Sequence, residues 1–170
     1  MNKTGAAIKF STCDFCDNYK NSDGSDFRVL PPSFRNFGGV ASFGGLVATI
    51  RCHEDNTFVK SAVDSPGKGR VLVVDGGASL QRALLGGNLA TAAVRNGWAG
   101  IVINGAVRDV SELSLCAIGI MALALVPMAT QKRNAGESCV PVQIQGVWVR
   151  PGNWLYADAD GIVVAEKALI

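Results

Sequence analysis

The sequence predicts an α/β domain organised around a parallel βαβ unit, and three stretches carry that prediction. "RVLVVD" (70–75) is a short, unbroken apolar run rich in β-branched residues, the pattern of a strand buried on both faces. "NLATAAVRNG" (88–97) is amphipathic at helical spacing, begins near a capping Asn88 and stops at Gly97. "AGIVING" (99–105) repeats the strand pattern. Strand, helix and strand at this spacing imply two parallel neighbours joined by a crossover.

The remaining elements follow in order. "STCDFCDNYKN" (11–21) reads as a short helix capped by Ser11 or Thr12. "LPPSFRNFGGVASFGG" (30–45) carries two prolines and four glycines and suits a loop pinned to the body by Phe34, Phe37 and Phe43. "LVATIRC" (46–52) is a strand, "NTFVKSAVD" (56–64) a helix starting near Asn56, and "SPGKG" a turn. "SLQRALLGG" (79–87) suggests one or two helical turns. The C-terminal third adds β structure: "GIMALALVP", "VPVQIQGVWV", a turn at "RPGN", and "WLYADADGIVVAE" with Asp160-Gly161 as a further turn signal. One domain spanning 1–170 is expected, its first ten or so residues as a flexible extension.

The chain has 170 residues, 48% hydrophobic and 18% charged, with 20 glycines and a formal charge of +2. This is a globular composition with dispersed basic residues, which argues against direct nucleic-acid binding. No apolar leader is visible at the start. The longest apolar run (113–129) is interrupted by serine, glycine and proline and is shorter than the ~20 residues of a spanning helix. A cytoplasmic protein without membrane contact is expected. The five cysteines are odd in number and scattered. Cys13-x-x-Cys16 lacks a second pair, and the lone His53 adjoins Cys52, so the pair reads as two small side chains on one face of a short helix.

Ligands of parallel α/β sheets gather beyond the carboxyl ends of the strands. Two such ends are legible, at Asp75-Gly76-Gly77 and at Asn104 through Asp109, with "LLGGNLA" leading into a helix between them. Backbone N–H groups at that helix start seat an anion, Arg108 offers a guanidinium, and Asp75, Asp109 and Glu112 offer carboxylates. Each has a plain structural reading too: Gly86-Gly87 as a turn, Arg108-Asp109 as an ion pair, Glu112 as a first-turn acid, Asp75 as a cap. "DGGASLQRALLGG" is neither a dinucleotide fingerprint nor a P-loop.

Four segments, 34–56, 67–90, "NGWAGIVINGAVRDV" (96–110) and "WLYADADGIVV" (154–164), resemble the RraA-like family. It contains regulators of ribonuclease E activity and metal-dependent aldolases acting on 4-hydroxy-4-methyl-2-oxoglutarate. The resemblance runs from about Cys13 to Val164. It implies a swivelling β/β/α-type fold, assembled as a homotrimer or a dimer of trimers with sites between subunits. The aldolases keep Arg-Asp, as here at Arg108-Asp109, whereas the regulator that names the family lacks that aspartate. Bacterial aldolases carry an aspartate twenty-one positions before the arginine, where this chain has Gly87. A second pattern, found in some plant and fungal members, has glycine, twenty residues, Arg-Asp, two residues and an acid. Gly87, Arg108, Asp109 and Glu112 fit it.

The resemblance therefore implies Asp109 as ligand to Mg²⁺ or Mn²⁺, Glu112 as a ligand through water, and Arg108 as the catalytic group facing an enolate. Gly86, Gly87, Asn88 and Leu89, with Arg108, would bind a small 2-oxo acid. Oxaloacetate decarboxylation follows from the same enolate. The alternative is a non-catalytic trimeric regulator of a ribonuclease E-type enzyme or RNA helicase. A net charge of +2 suits docking on basic RNA-binding segments poorly. An older family label, demethylmenaquinone methyltransferase, finds no glycine-rich nucleoside signature to support it.

Overall fold

The structure, a computed structural model, describes residues 9–170. Its elements are α1 (Thr12–Tyr19), β1 (Phe27–Val29), β2 (Arg35–Asn36), β3 (Phe43–Arg51), α2 (Thr57–Val63), β4 (Val71–Asp75), β5 (Ala83–Leu85) and α3 (Gly87–Arg95). Then follow β6 (Gly100–Val107), α4 (Val110–Leu113), β7 (Gly119–Leu125), β8 (Glu137–Ser138), β9 (Val142–Ile144), β10 (Val147–Val149), β11 (Trp154–Ala157) and β12 (Ile162–Ala165). The anticipated N-terminal extension falls mostly on residues 1–8, outside the described residues. Phe10 is packed, with its ring 5.7 Å from Phe15 and 5.3 Å from Tyr156.

A mixed sheet runs β1-β12-β11-β3-β4-β6-β7-β2, with β5 added on β6 and β8 on β3. Its centre is parallel: β3, β4, β6 and β7 lie side by side, linked by α2, α3 and α4. The βαβ unit expected from 70–105 is present, β4 pairing in parallel with β6 from Val71↔Gly100 to Asp75↔Asn104. β3 joins two regions, because Phe43–Leu46 pair antiparallel with β11 and Val47–Arg51 pair parallel with β4.

Alternation explains why β4 reads as a continuous apolar run. Leu72 and Val74 face a helical layer containing Val59, Val63, Ala90 and Ala93. Val71 and Val73 face the other way, against Val142, Ile144, Val149, Leu155 and Val164 from the C-terminal strands. At the far end of the sheet α1 covers Phe27, Tyr156 and Val163 with Phe15. Ser11 caps α1, and Asp158 accepts from both the N–H and the Oγ1 of Thr12 at 2.7 Å, tying the helix start to the β11–β12 hairpin.

Two expectations need correction. Residues 79–86 contain no helix, and only Gly87 of the stretch begins one: Ala83, Leu84 and Leu85 are buried as β5, parallel to the C-terminal half of β6. The run is too short for a helix to bury, and the open edge of β6 satisfies its backbone. The 30–45 segment is not wholly loop either, since Arg35–Asn36 pair with β7 and Phe43 begins β3. Phe43 instead wedges across the sheet: a Cβ added to Gly100 or to Gly119 would strike its ring. Phe43→Ala is expected to lose about 3–5 kcal/mol, read as a lower urea midpoint at unchanged m-value.

Candidate active site

The site begins where two neighbouring strands end together. Leu85 of β5 pairs with Val107 of β6, so the residues following each, Gly86-Gly87 and Arg108-Asp109, emerge side by side. The Arg108 N–H donates to the Leu85 carbonyl at 3.0 Å, locking this juxtaposition. Asp109 then takes a left-handed conformation (φ 60°, ψ 44°), which aspartate tolerates better than most residues. The Glu112 N–H donates to the Asp109 carbonyl at 2.9 Å, turning the chain back so that Glu112 also lies over the start of α3.

Gly86 precedes α3 in extended conformation and has no side chain to cap it. Asp109 caps it from 22 residues away, its Oδ2 accepting from the Gly87 N–H at 3.0 Å. The next first-turn amides, of Asn88 and Leu89, lie beyond reach of the helix's own carbonyls. The Arg108 Nε is 3.7 Å from Asp109 Oδ2, and its Nη1 donates to the Pro127 carbonyl at 3.5 Å. Both side chains remain about 40% exposed, so they are held but accessible.

The two glycines are needed here by close approach. A Cβ on Gly86 would collide with Asp109 Oδ2 and come within 3.2 Å of Arg108 Cγ. A Cβ on Gly87 would overlap Glu112 Oε2, with Glu112 Cδ only 2.7 Å away. The Glu112 carboxylate thus occupies the space that a side chain at position 87 would fill. Gly86, Asn88, Leu89, Arg108 and Asp109 line a cleft of about 330 Å³, closed on its other side by Asn56, Lys60, Thr130 and Lys132.

Asp75, grouped with these residues from the sequence, is not among them. It lies in a separate cleft beside Arg51, Cys52 and His53, accepting from the Gly77 N–H at 2.9 Å and from Asn104 Nδ2 at 3.2 Å. β4 ends opposite Asn104, three residues short of the end of β6 at Val107. Burial, reinforced by Asp55 and Asp75, pushes the Cys52 thiol up to about 12, so Cys52 and His53 do not form a nucleophilic pair. The Cys13 thiol is raised chiefly by the charge of Asp160 and that of Cys16 chiefly by burial, leaving neither as a ready thiolate. The sequence reading missed Lys60, Thr130 and Lys132. They lie on α2 and on an irregular segment far along the chain, and no local pattern marks them.

Chemically, the cleft combines a helix N terminus, a guanidinium and the Asp109 carboxylate, with the Glu112 carboxylate beside it over Gly87. No three of the described His, Cys, Asp and Glu residues converge tightly enough to enclose a metal. One carboxylate on an accessible cleft and a second beside it nevertheless fit a hard divalent cation that keeps part of its hydration shell.

Fold and cleft together define an α/β domain with its polar groups gathered at the carboxyl ends of parallel strands, suited to a small anionic ligand. The chain belongs to the RraA-like family: the family described as Aldolase/RraA matches residues 12–164. A relative from Albidiferax ferrireducens, provisionally named a 4-hydroxy-4-methyl-2-oxoglutarate aldolase, is 60% identical over 169 residues, covering 95% of this chain and 98% of the relative. The RNA-processing inhibitor RraA from Thermus thermophilis has the same fold at a TM-score of 0.89, with 44% identity over 96% of each chain. A Geobacillus kaustophilus structure named S-adenosylmethionine:2-dimethylmenaquinone methyltransferase also superposes at 0.89, with 39% identity over 94% of this chain and 97% of that one. Among the described residues, no helix is long and apolar enough to cross a membrane.

Proposed function

We propose that this protein is a divalent-cation-dependent carbon–carbon lyase. It cleaves 4-hydroxy-4-methyl-2-oxoglutarate to pyruvate and decarboxylates oxaloacetate in the same cleft. The observation that carries this reading is the convergence of Arg108, Asp109 and Glu112 on the start of α3, with Glu112 filling the place of a side chain at Gly87. The 60%-identical relative provisionally named as an aldolase supports it.

Asp109 and Glu112 would hold Mg²⁺ or Mn²⁺, Glu112 through water. When bound, the cation supplies Lewis-acid stabilisation of negative charge developing on oxygen. The protein's own groups do the remainder. The first-turn amides of α3 orient the substrate carboxylate. As the C3–C4 bond breaks, the 4-hydroxyl gives its proton to a solvent base and becomes the carbonyl of the departing pyruvate. The bond's electrons delocalise onto the 2-oxo oxygen as an enolate that then takes a proton at C3, and the guanidinium of Arg108 offers a fixed positive donor to that charge. A guanidinium is a fixed cation with donors and no acceptor, so Arg108 stabilises charge and does not act as the base.

The same reading takes a homotrimer or dimer of trimers as the working assembly. Val110, Leu115, Leu125 and Met128, apolar yet exposed at the end of β7 and on the segments that follow β6 and β7, are consistent with a covered rim. A cytoplasmic location is part of the proposal. The competing reading, a non-catalytic regulator of an RNA-processing enzyme, is favoured by the name of the Thermus relative.

The experiment is pyruvate release from both substrates with Mg²⁺, with Mn²⁺ and with chelator, against a protein-free metal control. Turnover above the control that chelator abolishes is the expected result. Absence of turnover on both substrates would favour the regulator.

A further inference from the structure

The wall of the cleft opposite Arg108 is an irregular strap, residues 126–136, which joins β7 to β8 and brings Thr130 and Lys132 to the cleft. None of its side chains is buried, so packing does not hold it in place. Hydrogen bonds do. Near its start, the Ala83 N–H donates to the Met128 carbonyl at 2.8 Å and Arg82 Nη1 to the Ala129 carbonyl at 2.7 Å. Thr130 Oγ1 bonds Asn56 Oδ1 at 2.8 Å. Beyond that the strap is fastened at Asp55, whose Oδ2 accepts from the N–H groups of Arg133 at 2.5 Å and Ala135 at 3.4 Å. The other oxygen, Oδ1, accepts from the Thr57 N–H at 2.9 Å and the Thr57 hydroxyl at 2.6 Å, at the start of α2.

Asp55 is fully buried, and a buried carboxylate persists only where donors replace its water. Its burial alone would raise its pKa, yet the bonds from Thr57, Arg133 and Ala135 outweigh that and hold it at about 2. One oxygen thus serves α2, which carries Asn56 and Lys60 to the cleft, and the other serves the strap that carries Thr130 and Lys132.

We infer that Asp55 is a positioning residue of the cleft, fastening the 126–136 strap to the start of α2 so that Thr130 and Lys132 face the bound substrate. This deepens the lyase reading and rests on it for the identity of the substrate. Asp55→Asn replaces one acceptor oxygen by a donor. Arg133→Pro removes the strap's N–H donor to Asp55, and with it the Arg133 Nη2 bond to the His53 carbonyl at 3.5 Å, while leaving Asp55 and its bonds to Thr57 intact, and so covers the case in which the Asn variant fails to fold. Thr57→Val weakens only the α2 side.

The experiment combines hydrogen exchange of the 126–136 amides, thermal melting, and KM and kcat for oxaloacetate with Mg²⁺. Asp55→Asn and Arg133→Pro are expected to speed strap exchange and raise KM about tenfold with kcat within about twofold. Thr57→Val, which loses the hydroxyl bond but keeps the Thr57 N–H bond to Oδ1, is expected to lower the melting temperature and to raise KM less than Asp55→Asn does. Unchanged strap exchange in the folded variants, or a loosened strap with unaltered KM, would overturn the inference. Wild-type protein without turnover would instead overturn the lyase reading and the substrate half of this inference, while strap exchange would still decide the tether.

Discussion

Asp109→Asn is expected to lower kcat/KM for both substrates by on the order of 10²–10³ while leaving the fold intact. The choice of asparagine isolates the charge. Asn tolerates the left-handed conformation of position 109, and its amide oxygen can still accept from the Gly87 N–H, so neither the turn nor the α3 cap is lost. Alanine would remove both and confuse lost chemistry with a shifted loop. In the proposed lyase the carboxylate is the group that would hold a cation beside the Arg108 guanidinium. The loss should therefore appear in kcat/KM at saturating Mg²⁺, with melting temperature and circular dichroism close to wild type. Near-wild-type turnover in Asp109→Asn would remove Asp109 from the chemistry.

The second large effect is a transplant. Gly87→Asp introduces a carboxylate at the position where the bacterial aldolase pattern carries one, but its Cβ would enter the space of Glu112 Oε2. Gly87 lies in the first turn of α3, where the backbone accepts a side chain, so the conflict is between the two carboxylates and not with the helix. Glu112→Ala alone is expected to cost about 10–100-fold, the usual range for a group that acts on a metal site through an intermediary. Gly87→Asp alone is expected to be impaired by crowding and by charge repulsion. The double variant, with Asp at 87 and Ala at 112, is expected to recover to within about tenfold of wild type. Steady-state kinetics of the four proteins measures this coupling. Strictly additive losses would show that the Glu112 carboxylate does not do the work of a carboxylate at position 87.

How far the sequence reaches is clear from individual residues. β4, α3 and β6 were legible because each is decided locally: β4 and β6 are buried on both faces, and α3 shows one apolar face to the sheet. Arg108, Asp109 and Glu112 stood out because charge directly after a buried strand is easily seen. β5 was not legible. Three apolar residues before a glycine pair have no period to distinguish strand from helix, and only the exposed edge of β6 makes Ala83–Leu85 a strand. That pairing sets Gly86-Gly87 beside Arg108-Asp109. It also excludes Asp75, whose strand ends at Asn104, three residues before Val107.

By itself, then, the sequence determined the α/β class, the parallel core and the charged residues at the end of β6, because burial and periodicity are local properties of the chain. The tertiary structure decided which of those residues meet, that Glu112 lies in the space left by Gly87, and that a strap held by Asp55 forms the facing wall. These depend on strand pairings and hydrogen bonds between residues some 20 to 80 positions apart, a separation over which side-chain periodicity carries no information.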